Sequence, residues 1–182
     1  RIRSRGLGDV YKRQVFHFPK PTIAMIQGYC IGGGMGLAVA CDIRLCEDKS
    51  RFAIPAAKLG LGYGYEGIRR LANLVGPAMV KEIFFTARQF SAGEAQEMGL
   101  VNRVLPPHML APYVDDYAKR ISENAPMTME SVKAIVQAIQ DDESARDLDA
   151  LDAMVKACFA SQDYIEGRRA FMEKRKPDFT GS

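Results

Sequence analysis

The segment Thr22–Asp42, TIAMIQGYCIGGGMGLAVACD, carries three consecutive glycines, Gly32, Gly33 and Gly34, then Met35 and a fourth glycine, Gly36. TIAMI is short, apolar and β-branched at its start, which suits a buried strand, and Gly28 breaks it. Met35–Cys41 is rich in Ala, Leu and Val and reads as a helix that begins at the glycines. A helix N-terminus offers up to four N–H groups without intrahelical partners, together with the positive end of the macrodipole. Glycines there remove the β-carbons that would hold an incoming oxygen away from those amides. The pattern suits a backbone oxyanion hole. Close helix-to-strand packing or a tight turn is the plainer alternative for the same glycines.

Outward from this segment, IRLCE and RFAI read as two short strands separated by the turn Asp48, Lys49, Ser50. GIRRLANLVG reads as a helix closed by Gly76 and Pro77, and PAMVKEIFFT as a second with Pro77 in its first turn. Ser91 followed by Glu94 forms a capping box, Gly99 ends that short helix, and LVNRVL returns as a strand. Past Pro106 and Pro107 the pattern is helical. Val114, Tyr117, Ala118 and Ile121 share one face, as do Val132, Ile135, Val136 and Ile139. A last helix starts at the cap Ser161 and stops before Pro177. The expected organisation is a leader over 1–14, a partial α/β core over 15–105 and a helical region over 106–182.

The first fourteen residues, RIRSRGLGDVYKRQ, show neither sustained periodicity nor the apolar stretch of a signal peptide. They resemble adapter-derived translations at the ends of reading frames, so a non-native leader is expected, with a disordered native arm as the alternative. Their five basic residues against one Asp give +4, which turns the formal net charge of +3 into −1 for the remainder. The basicity is therefore no argument for nucleic acid or a membrane surface as partner. Among 182 residues no apolar run approaches a membrane span. Cys30, Cys41, Cys46 and Cys158 contain no C-x-x-C pair, and only His17 and His108 could join them, so no zinc site is expected. The cysteines read as small buried apolar groups in a reducing compartment, taken as the cytoplasm.

Other chemistries fail on spelling. A P-loop needs Gly-Lys-Ser/Thr, whereas Met35 follows Gly34. GYGYEG, Gly62–Gly67, matches G-x-G-x-x-G but lacks both a clean preceding strand and an acidic residue about twenty positions on. No G-x-S-x-G supports a serine hydrolase.

Four ordered motifs carry a more specific signal: KPTIAMIQGYCIGGGMGLAVACDIRL, FAIPAAKLGL, FFTARQFSAGEAQEMGLVNRV and AFMEKRKPDF. Together they resemble the crotonase superfamily of enoyl-CoA hydratases and isomerases from about Pro19 to Phe179. The resemblance implies an α/β fold, a spiral of ββα units with a C-terminal all-helical trimerisation region, assembled as a homotrimer or a dimer of trimers. It implies an acyl-CoA substrate, with coenzyme A entering as part of that substrate and no separate cofactor. It also implies that the amide of Gly33 is one of two oxyanion-hole donors. The second donor belongs to a family segment earlier than Pro19 with no counterpart here, so the chain is expected to lack roughly the first third of the fold.

Hydratases of the family use two glutamates for general acid/base work, and their positions are occupied here by Gly36 and Ala56. Two-glutamate hydration is accordingly disfavoured. The resemblance points to the loop LGLGYGYEG for replacements. Tyr63 aligns with a tyrosine of methylmalonyl-CoA decarboxylases, and Glu66 is a candidate base; the plain alternatives are an aromatic wall and a solvated helix-start charge. Gly32, Gly33, Gly36, Pro55 and Ala56 are the expected substrate-binding positions. Phe171 and Lys174 align with residues that meet a neighbouring subunit's coenzyme A, or serve only capping and solubility. The functional expectation is an enoyl-CoA hydratase/isomerase-type enzyme, the alternatives being decarboxylase-like or isomerase-like activity or a non-catalytic acyl-CoA-binding or assembly subunit.

Overall fold

Twice in succession the chain runs strand, strand, helix, and each pair of strands is shared between two sheets. The computed structural model describes residues 3–182, with side chains from Val10 onward. Strand β1 (Ile23–Ile26) is followed by β2 (Tyr29–Ile31) and helix α2 (Gly33–Ala40). The second round is β3 (Ile43–Glu47), β4 (Arg51–Ala53), a 3-10 turn over Ala57–Leu59 and helix α3 (Tyr65–Thr86). Strand β5 (Phe90–Ser91), helix α4 (Ala92–Glu97) and strand β6 (Arg103–Leu105) complete the α/β part. One sheet is parallel in the order β1-β3-β6; the other has the order β2-β4-β5, with β2 and β4 parallel and β5 antiparallel. This is the mixed α/β arrangement of ββα units that the motifs imply.

Strand β3 reads as an apolar run because both of its faces are covered. Leu45 and Cys46 of β3 are fully buried, and Phe52, Ile54, Met35, Leu71 and Phe90 gather with Cys46 in one core. Each such large side chain contributes roughly 1.5–3 kcal/mol on leaving water. Helix α3 is two helices joined at Gly76, whose φ of 78° and ψ of 160° break the helical path before Pro77, as expected from the Gly-Pro pair. Ser91 and Glu94 form the expected capping box on α4, and Gly99 follows it with φ of 80°.

Two compact units divide the described chain. The first holds residues up to Phe18 and Thr22–Asp115; the second holds Pro19–Pro21 and Asp116–Ser182. The expected boundary after 105 is therefore displaced into helix α5 (Pro107–Ser122), because Leu110 in its first turns is fully buried with the α/β part. The second unit contains helices α6 (Pro126–Ile139), α7 (Leu148–Ala160) and α8 (Gln162–Glu173). The Ser161 hydroxyl caps α8 by accepting from the Tyr164 N–H, as expected. The Asp163 carboxylate accepts from the Thr180 and Gly181 N–H groups and holds the tail along that helix.

Three expectations change. Residues 3–16 form helix α1 and are not a disordered arm; residues 1–2 of the leader lie outside the described residues. Helix α1 packs against α2, and the Arg70 guanidinium lies 3.9 Å above the Phe16 ring. On α6 the shared apolar face is open, with Val132, Val136 and Ile139 exposed. Of the cysteines only Cys30 and Cys46 are buried, Cys41 and Cys158 being half-buried.

Candidate active site

Parallel strands β2 and β4 run in register, Tyr29 beside Arg51 and Ile31 beside Ala53. Their C-terminal ends therefore lie together, which is where open α/β sheets place ligands. The Gly32 N–H extends the ladder by donating to the Ala53 carbonyl oxygen at 2.9 Å. Gly32 then turns the chain into α2 with φ of 57° and ψ of −110°, a conformation that excludes a β-carbon. It supplies no side-chain cap. The N–H groups of Gly33 and Gly34 accordingly have no acceptor among the described residues, and both residues are exposed. Among the described residues, no atom beyond the chain neighbours and the helix's own backbone lies within 4 Å of the position a β-carbon would take on either one. Tight packing is thus not what Gly33 and Gly34 serve, whereas two open amides at the positive end of α2 are an anion-stabilising arrangement.

Strand β4 leads into Ile54, Pro55 and Ala56. Ala56 is a buried methyl in the core, and its carbonyl accepts from the Leu61 N–H at 2.9 Å, closing the loop around the 3-10 turn. That closure sends Tyr63 back toward α2. Its half-buried ring stands edge-on to Phe84, with centroids 5.0 Å apart at 72°. A β-carbon on Gly36 would stand 3.5 Å from Tyr63 Oη, 3.1 Å from Lys12 Nζ and 2.9 Å from Lys12 Cε. A phenol and an ammonium thus converge on the space that a Gly36 side chain would fill. GYGYEG follows the 3-10 turn and no strand, as its flanks suggest.

These groups line a cavity of about 620 Å³ in the first unit. Its apolar wall comes from Met35, Ile54, Leu61 and Leu71, and its polar rim from Lys12, Tyr63, Glu66 and Arg70. Glu66 is half-exposed on the first turn of α3 and paired with Arg69 at 3.1 Å. Gly32, Gly33, Pro55 and Ala56 do not line the cavity. Phe171 and Lys174 belong to the second unit and are exposed; Lys174 ends α8 in the left-handed conformation with φ of 54°. Burial pushes the Cys30 thiol up to about 11 and, as the largest cause, the Cys46 thiol up to about 12, so neither of these two is a thiolate at neutral pH.

Of the expected positions, Gly36, Tyr63 and Glu66 line this cavity, whereas its apolar wall and Arg70 were not among them. Met35 and Val39, spaced one helical turn apart on α2, were the available signal for that wall. Among the described residues no helix is long and apolar enough to cross a membrane.

Residues 5–182 match the family model described as Enoyl-CoA hydratase/isomerase. The chain belongs to this family. Among similar enoyl-CoA hydratase/isomerase family proteins, the crotonyl-CoA hydratase of Syntrophomonas wolfei is 39% identical over 96% of this chain and 67% of its own length. The short-chain-enoyl-CoA hydratase of Clostridium acetobutylicum is 37% identical over 93% of this chain and 65% of its own. The chain thus spans about two thirds of the length of these relatives. An enoyl-CoA hydratase structure from Bacillus anthracis superposes with a TM-score of 0.87 at 33% identity, covering 100% of this chain and 72% of that one. A methylmalonyl-CoA decarboxylase structure gives a TM-score of 0.73 at 31% identity, covering 96% of this chain and 69% of that one.

Proposed function

We propose that this chain binds an acyl-CoA thioester and stabilises the enolate-like form of its carbonyl oxygen at the N-terminus of α2. The observation that carries this reading is the pair of exposed, acceptor-free amides of Gly33 and Gly34 beside the C-terminal ends of β2 and β4. One oxyanion donor in a dry site is worth on the order of 10²–10³ in rate. Gly33 acts as the donor. Tyr63 handles the proton, its hydroxyl standing 3.5 Å from where a Gly36 β-carbon would be, and Glu66 is the second candidate on the same rim. The reaction class is hydratase/isomerase-type, supported by the names of the relatives.

A decarboxylase-like reaction is the second reading. A phenol above Gly36, with no carboxylate at Gly36 or Ala56, favours it, because loss of carbon dioxide generates the enolate directly and needs stabilisation more than a strong base. Coenzyme A enters with the substrate and no other cofactor is needed. Gly32, Gly36, Pro55 and Ala56 shape the acyl side. Phe171 and Lys174 meet the coenzyme A of another subunit. The exposed Val132, Val136 and Ile139 on α6 support assembly into trimers or pairs of trimers. The reading places the protein in the cytoplasm.

The test is to incubate the chain with crotonyl-CoA and with methylmalonyl-CoA, alongside Gly33→Pro. Gly33 is the first residue of α2, where proline is tolerated by a helix but supplies no N–H. Turnover is expected to fall on the order of 10²–10³ with the circular dichroism spectrum unchanged. Failure of either thioester to raise the melting temperature at saturation would sink the reading.

A further inference from the structure

We infer that Gly67 is a positioning residue: its missing β-carbon is the slot that seats the Tyr63 ring and sets its hydroxyl over Gly36. A β-carbon on Gly67 would stand 2.7 Å from Tyr63 Cε1, 3.2 Å from Cδ1 and 3.7 Å from Cζ. Carbon atoms do not approach so closely, so any side chain at 67 displaces the ring. The ring cannot simply lean away. Phe84 stands against it at 5.0 Å between centroids, and the ring is packed on the core. Two glycines on two helices therefore hold one tyrosine, Gly67 of α3 beneath its ring and Gly36 of α2 facing its oxygen.

Backbone freedom does not explain this glycine. Gly67 lies in the first turn of α3 and is absent from the residues with positive φ. An alanine would favour the helix there. The local cost to the helix makes sense only if the space above the α-carbon is used, and Tyr63 uses it. This inference rests on the assignment of Tyr63 to proton handling for its catalytic consequence, but its geometric content stands apart from that assignment.

The experiment uses the full chain with 13C-labelled tyrosine, the Tyr63 phenol signal being identified by its loss in Tyr63→Phe. In Gly67→Ala the Tyr63 signal is expected to move. Melting gives a second reading of opposite sign: Gly67→Ala is expected to lower the melting temperature in the parent and to raise it in a Tyr63→Ala background. An unmoved Tyr63 signal, or a melting shift of the same sign in both backgrounds, overturns the inference. With whichever thioester is turned over, Gly67→Ala is expected to lower kcat at least tenfold with KM changed less than twofold, and to add nothing in a Tyr63→Phe background. Multiplying kinetic effects would overturn the positioning role. If Tyr63→Phe leaves turnover unchanged, the proton-handling assignment fails, while the tyrosine signal still decides what Gly67 does.

Discussion

Gly32 donates its N–H to the Ala53 carbonyl oxygen at 2.9 Å, and this bond ties the glycine run to the end of β4. Because the donor amide is committed to the sheet, the next two amides are left pointing free of it. The three consecutive glycines consequently have unequal duties. Gly32 makes a turn that only glycine makes; Gly33 and Gly34 keep the approach to the amides clear.

Substitution should separate those duties. Gly32→Ala forces a β-carbon into φ of 57° and is expected to cost about 1–3 kcal/mol in urea denaturation. Gly34→Ala meets no described atom within 4 Å beyond its chain neighbours and its own helix backbone, and it sits in the helix, so it is expected to hold or raise stability by up to about 1 kcal/mol. Equal losses at the two positions would contradict this division.

Arg44 on β3 is buried at 4% exposure, its Nε donating to the Leu100 carbonyl at 2.7 Å and its Nη1 to the Cys41 carbonyl at 2.6 Å. Burial lowers its pKa, and the neighbouring Cys41 and Asp42 oppose that. The main chain of Arg44 also exchanges bonds with Asn102, so the side chain and backbone together fasten β6 to the sheet. Arg44→Met removes the donor to the buried Leu100 carbonyl and one donor to the half-buried Cys41 carbonyl, and is expected to cost about 2–4 kcal/mol by chemical denaturation. Arg44→Lys, with one ammonium for two divergent acceptors, is expected to recover only part of the loss.

The capping box on α4 sets an acid dependence. The Ser91 N–H, the Arg88 guanidinium and the Ser91 hydroxyl, in that order, hold the Glu94 carboxyl down from 4.5 to about 2. A depressed carboxylate binds its proton more readily in the unfolded chain. Its contribution is therefore complete above pH 4.5 and is lost as the pH falls toward 2. Glu94→Gln is expected to flatten that limb of a stability-against-pH curve, and salt to shrink the difference because the pair with Arg88 is solvent-facing. Ser91→Ala is expected to cost about 1 kcal/mol at neutral pH.

Local chemistry made much of this legible in the sequence. The Ser91–Glu94 box, the Gly76–Pro77 break and the cap at Ser161 each need only neighbouring residues to be recognised, and each stands where expected. Strands β2 and β5, of three and two residues, are too short to carry a period, and pairing with β4 alone makes them strands. Helix α1 escaped notice because its contacts, Lys12 with Gly36 and Phe16 with Arg70, lie far along the chain. The same holds for the cavity. Gly36, Tyr63 and Gly67 look like a permissive residue, a wall and a loop glycine until the closure from Ala56 to Leu61 brings them into one constellation.

The two positions where the family resemblance expects glutamates differ physically, and that difference is testable. Ala56 is 4% exposed within the apolar core, so Ala56→Glu buries a carboxylate among apolar side chains. It is expected to cost about 3 kcal/mol at neutral pH, easing as the pH falls and the carboxyl is neutralised. At Gly36 a new side chain meets the flexible end of Lys12 and the Tyr63 hydroxyl, an ammonium and a phenol that both favour a carboxylate. Gly36→Glu is expected to stay within about 1 kcal/mol of the parent, since the helix gains by losing a glycine. Urea denaturation at two pH values checks both. A tolerated Ala56→Glu would mean that the core around β4 still accommodates a hydratase carboxylate, whereas the expected loss means that restoring two-glutamate hydration requires repacking there and not at α2.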